Sequence, residues 1–449
     1  MTARGAAVDV LLAVERGRTT LAAEIERARK PLRDERDRAL LVELATGTLR
    51  WQAELDALLK PCSTRPIEAL VPGIRAILRV AVYQLEHLDR IPAHAVLNEA
   101  VEATRAIGEP RAAGFVNAVL RSLQRRDRRR SLPRRPAEDA ERAHQVDYLA
   151  TALSHPAWLV ARWIQRHGFD ATERWCQFNN ASPDITIRSA GRRSIADLVT
   201  ALRDAGVEAA ASRFVGDAAT LPPGALGHVP PELAGELVVQ DEASQLVAHA
   251  VAAAPGQRVL DVCASPGGKT LVLSADLEGR GTLVAADFRP KRVRLLQQTI
   301  RRAAVNASVV ALNATRPLPF GAVFDRVFVD APCSGLGVLR RDPDVKWSRR
   351  GDELPAFALA QQRILTCAAD VVAPGGRLIY ATCSSEPEEN DQVVDAFLAG
   401  DARFAPIPVA LGPLVTGADA LVEPSGRLRT LPFRDGLDAF FAAALERRS

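Results

Sequence analysis

A chain of 449 residues exceeds what one hydrophobic core usually organises, so two or three domains are expected. With 47% hydrophobic and 25% charged residues it is neither a disordered nor a fibrous sequence, and no apolar run approaches the ~20 residues of a membrane helix. A net charge of +4 decides nothing about partners. Almost every basic residue is arginine, with lysine only at Lys30, Lys60, Lys269, Lys291 and Lys346, so only clusters of arginine carry weight.

The opening MTARGAAVDVLLAVERG reads as a short amphipathic helix without a signal-peptide cleavage pattern, which predicts a cytoplasmic protein. Helical spacing follows at Val8, Leu11 and Leu12, at Ile74, Ile77, Leu78, Ala81, Val82 and Leu85, and at Phe115, Val116, Val119, Leu120 and Leu123. Breakers at Gly17, Pro31, Pro61, Pro72, Pro92, Gly108 and Pro110 separate the helices, predicting an all-α domain over residues 1–125. Residues 126–149 form a basic linker; RSLQRRDRRRSLPRR at 121–135 holds eight arginines against one acid. It is either a solvated linker or one that also grips phosphates. Residues 150–236 predict a small α+β module, with a strand in ITIRSA at 185–190 and a helix in IADLVTALRDAG at 195–206. From 237 to 449 the pattern is repeated βα units, with strands at 258–264, 281–287, 308–314, 325–331 and 376–383 and helices at 289–304 and 355–372. Most of these strands are continuously apolar, as parallel strands covered on both faces should be, so a doubly wound sheet is predicted.

The first strand of that sheet runs into Asp261-Val262-Cys263-Ala264-Ser265-Pro266-Gly267-Gly268-Lys269-Thr270. Small residues there let the backbone approach a ligand, and the next helix offers its positive N-terminus. The loop is neither G-x-G-x-x-G nor a Walker A sequence. The second strand ends in Asp287, placed as acids that take ribose hydroxyls are, so adenosine binding is favoured over an empty tight turn. The six cysteines are widely spaced without a CxxC pair, and the seven histidines are scattered. Neither a disulfide framework nor a metal site is expected.

V-L-D-V-C-A-S-P-G-G-K-T closely resembles the D-x-C-A-A-P-G-G-K-T motif of the RsmB/NOP family of RNA 5-methylcytosine methyltransferases. The resemblance implies that Cys263, Ala264, Ser265, Pro266, Gly267, Gly268 and Lys269 form the S-adenosylmethionine loop and that Asp287 takes the ribose. Where the family has an acid beside the adenine this chain has Asn313, which keeps a hydrogen-bond acceptor but lacks the charge. Ser265 replaces the usual alanine.

Methylating cytosine at carbon 5 needs a thiolate to add at carbon 6, an acid near the ring edge and a base to remove the carbon 5 proton. Two cysteines end predicted strands: Asp330-Ala331-Pro332-Cys333-Ser334-Gly335 and Tyr380-Ala381-Thr382-Cys383-Ser384. Both should face the crevice at the carboxyl ends of the strands. Cys62, Cys176 and Cys367 read as inert, and Cys263 as packing within its loop. D-A-P-C-S-G and T-C-S-S-E-P-E-E-N match the two cysteine motifs of the family, and the resemblance implies that Cys383 is the nucleophile, that Cys333 helps release product, and that Asp330 contacts the cytosine edge and the methionine end of the cofactor. A DNA-type cytosine methyltransferase would use Cys333 as nucleophile; an amino-group methyltransferase would carry N-P-P-Y or D-P-P-Y where this chain has D-A-P-C.

Arg340, Arg341, Lys346 and Trp347 in R-R-D-P-D-V-K-W are either a charged surface loop or, as in the similar family segment, contacts for RNA phosphate and a stacked base. Asp438-Ala439-Phe440-Phe441 resembles the family's D-G-F-F and is expected as a strand at the edge of the core. Residues 1–125 resemble NusB, through Gly47-Thr48-Leu49-Arg50, the stretch from Leu78 to Leu85, and Val116 to Arg121, with Arg50, Arg79 and Arg121 the expected RNA contacts. The fold class expected is therefore multidomain: an all-α NusB-like N-terminal domain, a small α+β (RNA-recognition-like) module, and a C-terminal α/β Rossmann-like class I methyltransferase. The NusB fusion marks the RsmB branch, implying 16S ribosomal RNA as substrate for a monomeric enzyme with no metal and no membrane. Transfer RNA as substrate, or a non-catalytic RNA-binding antitermination factor, are the alternatives; intact Asp261, Asp287, Asp330, Cys333 and Cys383 speak against the latter.

Overall fold

The structure, a computed structural model, describes residues 2–17, 19–126, 131–191 and 193–449; the arginine-rich core of the predicted linker, 127–130, lies outside the described residues. The chain divides into two compact units: Met1–Ala181 together with Leu339–Gly351, and Ser182–Val338 together with Asp352–Ser449. Among its described residues the first unit holds helices and connecting loops but no strand. Its helices begin where side chains can satisfy free N–H groups: the Thr2 hydroxyl accepts from Gly5 N, Thr20 from Ala23 N, and the Asp34 carboxylate from Arg36 N. The helices Ala3–Glu15, Pro72–His87 and Ala113–Arg125 bury the apolar stripes read from the sequence, including Leu11, Ile77, Leu78, Val116 and Leu120, in one core with residues of Glu35–Arg50 and Ala93–Ala106 such as Leu44 and Val96. Three further helices, Arg142–Thr151, Ala157–His167 and Phe169–Asn180, pack within this unit.

The second unit holds two sheets. The smaller comprises β1 (Ile185–Ser189), β2 (Ala210–Ala211), β3 (Ala218–Leu221) and β4 (Leu237–Val239) in the antiparallel order β2-β3-β1-β4. The larger is built from β5 (Arg258–Asp261), β6 (Thr282–Asp287), β7 (Ser308–Ala311), β8 (Phe324–Asp330), β9 (Val372–Thr382), β10 (Phe404–Ile407), β11 (Leu428–Arg429) and β12 (Phe441–Arg447). Its order is β10-β12-β9-β8-β5-β6-β7, with β11 also on β12. β5 to β9 pair in parallel, and β12 runs antiparallel to both β9 and β10. The D-A-F-F segment leads into the strand β12, which lies between β9 and β10. Alternation along the parallel strands splits the core: Val327, Val329, Leu378 and Tyr380 pack against Ile364, Leu365, Val393 and Phe397 on one face. Phe328, Ile379 and Ala381 pack with Leu246, Val247 and Leu273 on the other. Both faces being covered explains why those strands read as continuous apolar runs. Among the described residues no helix is long and apolar enough to cross a membrane, and no group of three or more His, Cys, Asp or Glu could hold a metal ion.

Candidate active site

The parallel strands deliver their loops to the carboxyl edge of the larger sheet. After β5 the chain turns through 262–267 into the helix Gly268–Asp276. Gly267 has φ +111°, and a Cβ there would stand 3.0 Å from Thr299, so glycine is what lets the turn close without filling the cradle. At the end of β6, Asp287 Oδ1 accepts from the backbone N of Phe288 (2.8 Å) and Arg289 (3.3 Å). Its Oδ2 accepts from Ser265 N at 3.3 Å and faces Arg292 Nε at 3.2 Å. The acid after β6 thus reaches the loop after β5. Asp261 is fully buried; its Oδ2 accepts from the Thr270 hydroxyl at 2.7 Å, while Oδ1 has no hydrogen-bond partner. An orphaned carboxylate oxygen and a glycine-lined cradle are the features a polar, tightly approached ligand would complete, so these residues fit an adenosyl cofactor. Burial drives the Cys263 thiol well above its ordinary pKa, which agrees with a packing role for it.

Asn313, expected beside the adenine, follows β7, and its amide oxygen accepts from both Thr315 N (3.0 Å) and Thr315 Oγ1 (2.7 Å). Both lone pairs are therefore committed within the turn, and any ligand contact from Asn313 has to be donated by its Nδ2. The acceptor role expected from the sequence is corrected accordingly.

Past β8 and β9 the two thiols come together. Cys333 Sγ and Cys383 Sγ are 3.3 Å apart although 50 positions separate them in sequence. The Cys333 thiol is pushed well above its ordinary pKa, first by the hydrogen bond with Cys383, then by burial and by the charges of Cys383 and Glu389. Asp330, at the end of β8, accepts from Lys269 Nζ at 2.7 Å. Burial opposes the Lys269 charge, but the Asp330 carboxylate outweighs it and the pKa stands above the ordinary lysine value. Lys269 also lies 5.6 Å from the Phe440 ring centroid. Gly337 carries the turn after Cys333 past its neighbours: its N donates to Cys383 O, its O accepts from Ala439 N, and a Cβ would meet Ala439 O at 2.0 Å. Sequence reasoning passed over Gly337, and also Arg188 of β1, a buried guanidinium bonded to Gln240 Oε1 (3.0 Å) and Gly268 O (3.2 Å). Only an arginine at an inward strand position signalled it.

The expected RNA contacts fare differently. Lys346 is buried in the first unit, its Nζ donating to Arg50 O (3.1 Å), Ser154 O (3.2 Å) and Asn180 Oδ1 (2.7 Å). Three acceptors match the three donors of an ammonium, leaving none for a phosphate. Trp347 donates from Nε1 to Leu49 O at 2.6 Å and packs on the helical core, so it is an anchor where a base-stacking platform was expected. Arg340 lies over the Phe178 ring at 4.4 Å and donates to Ala181 O, and Arg341 is half-buried. Arg50 is buried and donates to Arg340 O, Arg79 is paired with both oxygens of Asp56, and Arg121 donates to Asn117.

Comparison with known proteins agrees with this geometry. The 16S rRNA methyltransferase RsmB/F family model matches residues 248–446, the NusB family model residues 1–125, and an RsmF/B-like ferredoxin-like domain model residues 155–224. A ribosomal RNA small subunit methyltransferase B from Pseudomonas putida is 36% identical over 99% of this chain and 98% of its own length. The chain belongs to the RsmB/F family. A probable ribosomal RNA small subunit methyltransferase B from Bacillus subtilis is 33% identical, covering 92% of this chain and 91% of its own. The crystal structure of a methyltransferase homolog from Pyrococcus horikoshii aligns with a TM-score of 0.58 at 25% identity, covering 69% of this chain and all of that one. This RsmB/F member is an S-adenosylmethionine-dependent methyltransferase with the fold class expected from its sequence: a NusB-like helical domain, a small middle domain and a C-terminal methyltransferase domain.

Proposed function

We propose that this enzyme forms 5-methylcytosine in 16S ribosomal RNA through a covalent bond between Cys383 and the target base. The observation that carries the chemistry is the meeting of Cys333 and Cys383 at 3.3 Å, beside the Lys269–Asp330 pair. Cys383, as thiolate, adds to carbon 6 of the cytosine, and the electron pair moves to carbon 5. The 263–269 loop, Asp287, Asn313 and Asp330 would hold S-adenosylmethionine, which when bound would supply the methyl group that carbon 5 takes and leave as S-adenosylhomocysteine. Asp330 accepts a hydrogen bond from the amino group on the nitrogen edge of the ring, and the Lys269 ammonium beside it steadies the negative charge that develops there. Cys333 then gives its own proton to water and its thiolate takes the carbon 5 proton, whose electron pair re-forms the ring double bond as the carbon 6–sulfur bond breaks and Cys383 leaves as thiolate. The hydrogen bond with Cys383, burial and the charges of Cys383 and Glu389 push the Cys333 pKa up and favour its thiol form before that step.

The 16S substrate is supported by relatives matched over nearly their whole length. With purified protein, radiolabelled cofactor and 16S RNA, Cys383→Ser loses transfer to background, and Cys333→Ser accumulates a protein–RNA adduct that survives denaturing electrophoresis. Turnover by the Cys383→Ser protein refutes the assignment.

A further inference from the structure

Glu389 is fully buried, yet the chemistry above gives it no task. It ends the short turn Pro387–Glu389 that follows β9. Its Oε1 accepts from Ser334 N at 2.8 Å and Gln361 Nε2 at 3.0 Å, and its Oε2 from the hydroxyls of Ser334 and Ser384. Ser334 follows Cys333, and Ser384 follows Cys383. One carboxylate therefore grips the residue next to each thiol. The rest of the turn is equally committed: Tyr380 Oη donates to Glu389 O at 2.6 Å, and Asn390 Nδ2 donates to Ser384 O at 2.9 Å. Gln361 also donates to Pro332 O at 3.1 Å, closing the network on the Cys333 side.

Burying a carboxylate is costly unless every oxygen is satisfied, and apolar packing would hold two turns together at less expense. A charge retained there does something packing cannot. We propose that Glu389 is the positioning residue of the two-thiol site, acting through Ser334 and Ser384 to set the spacing of Cys333 and Cys383 and to hold a negative charge beside Cys333. The inference rests on the two-thiol reading of the preceding section. The groups facing Cys333 are Tyr380 from β9, Cys383 just past it and Glu389 from the following turn, with the Lys269–Asp330 pair nearby. Of these, Cys383 and Glu389 are the negative charges that raise Cys333, and replacing Cys383 by serine leaves Glu389 as the remaining one of the two.

The test uses the full-length protein. In a Cys383→Ser background, the pH midpoint for iodoacetamide alkylation of Cys333, followed by mass spectrometry, falls by about one unit when Glu389→Gln is added. In the protein with both thiols, Glu389→Gln lowers kcat for methyl transfer by ~10²-fold with KM for RNA unchanged, as misplacement of reacting groups does. An unmoved alkylation midpoint overturns the proposal, since a purely structural tie would leave the ionisation of Cys333 alone. If Glu389→Gln does not fold, the Ser334→Ala/Ser384→Ala double variant is predicted to lose ~10-fold in kcat at constant KM, and wild-type kcat in that variant overturns the proposal. The alkylation measurement needs neither RNA nor transfer, so its failure is distinct from failure of the covalent mechanism, which turnover by Cys383→Ser would reveal.

Discussion

At the scale of single residues, Asp261 shows how burial turns a side chain into a pH sensor of stability. Burial is the largest influence on it and pushes its carboxyl up to about 7, against ~3.9 for an aspartate in an unfolded chain. Between those values the folded protein keeps a proton that the unfolded chain has released. The stability this confers is complete below the unfolded value and is lost as pH rises through about 7. Asp261→Asn has no proton to lose. The wild type is expected to fall relative to the variant by about 1.4 kcal/mol between pH 6 and pH 8, measured by denaturant unfolding at each pH. A difference that stays constant with pH would show that Asp261 does not titrate there. The proposed catalytic residues were legible in the sequence because each sits at or just past the end of an apolar run: Asp330 closes β8 with Cys333 three residues on, and Cys383 follows directly on β9. A strand end is a place that periodicity locates well, and a parallel sheet sends all such ends to one edge.

At the scale of elements, the segment Leu339–Gly351 leaves the second unit just after the Cys333 turn and folds into the first. Its fastenings are all buried or partly buried: Lys346 to three oxygens, Trp347 to Leu49 O, and the Asp344 carboxylate to Leu21 N at 3.2 Å. Lys346→Ala strands three oxygens without donors, at ~1 kcal/mol or more each, so a loss of about 3 kcal/mol is expected in thermal or urea unfolding. RNA affinity, measured well below the unfolding transition, should stay near wild type; a selective loss of affinity without loss of stability would restore the phosphate-contact reading. The sequence could not show this, because a lysine beside a tryptophan in a basic stretch looks alike whether it meets phosphate or carbonyl oxygens. What decides is which helices lie opposite, and the partners Arg50, Ser154 and Asn180 are 166 to 296 positions away. The place of β12 within the sheet was not legible for a related reason: strand order is set by which edge remains open once the parallel strands have paired, and local pattern does not record that.

At the scale of the whole molecule, the chain passes between the units at three places, near residues 181, 338 and 351. A fragment beginning at Ser182 would carry Leu339–Gly351 without the helices it packs on. Trypsin is expected to cut that fragment within the segment, at Arg340, Arg341, Lys346, Arg349 or Arg350, at least ~10-fold faster than the full chain, since buried backbone must open before it is cleaved. Equal rates in the two proteins would mean that the segment holds its conformation unaided. The same threading bears on engineering. Grafting a helical unit from a relative onto this methyltransferase cannot be done with one splice: the recipient's stretch from 339 to 351 has to be exchanged along with it, and the two replacements must come from the same donor. A single-junction chimera would inherit a lock from one parent and a key from the other.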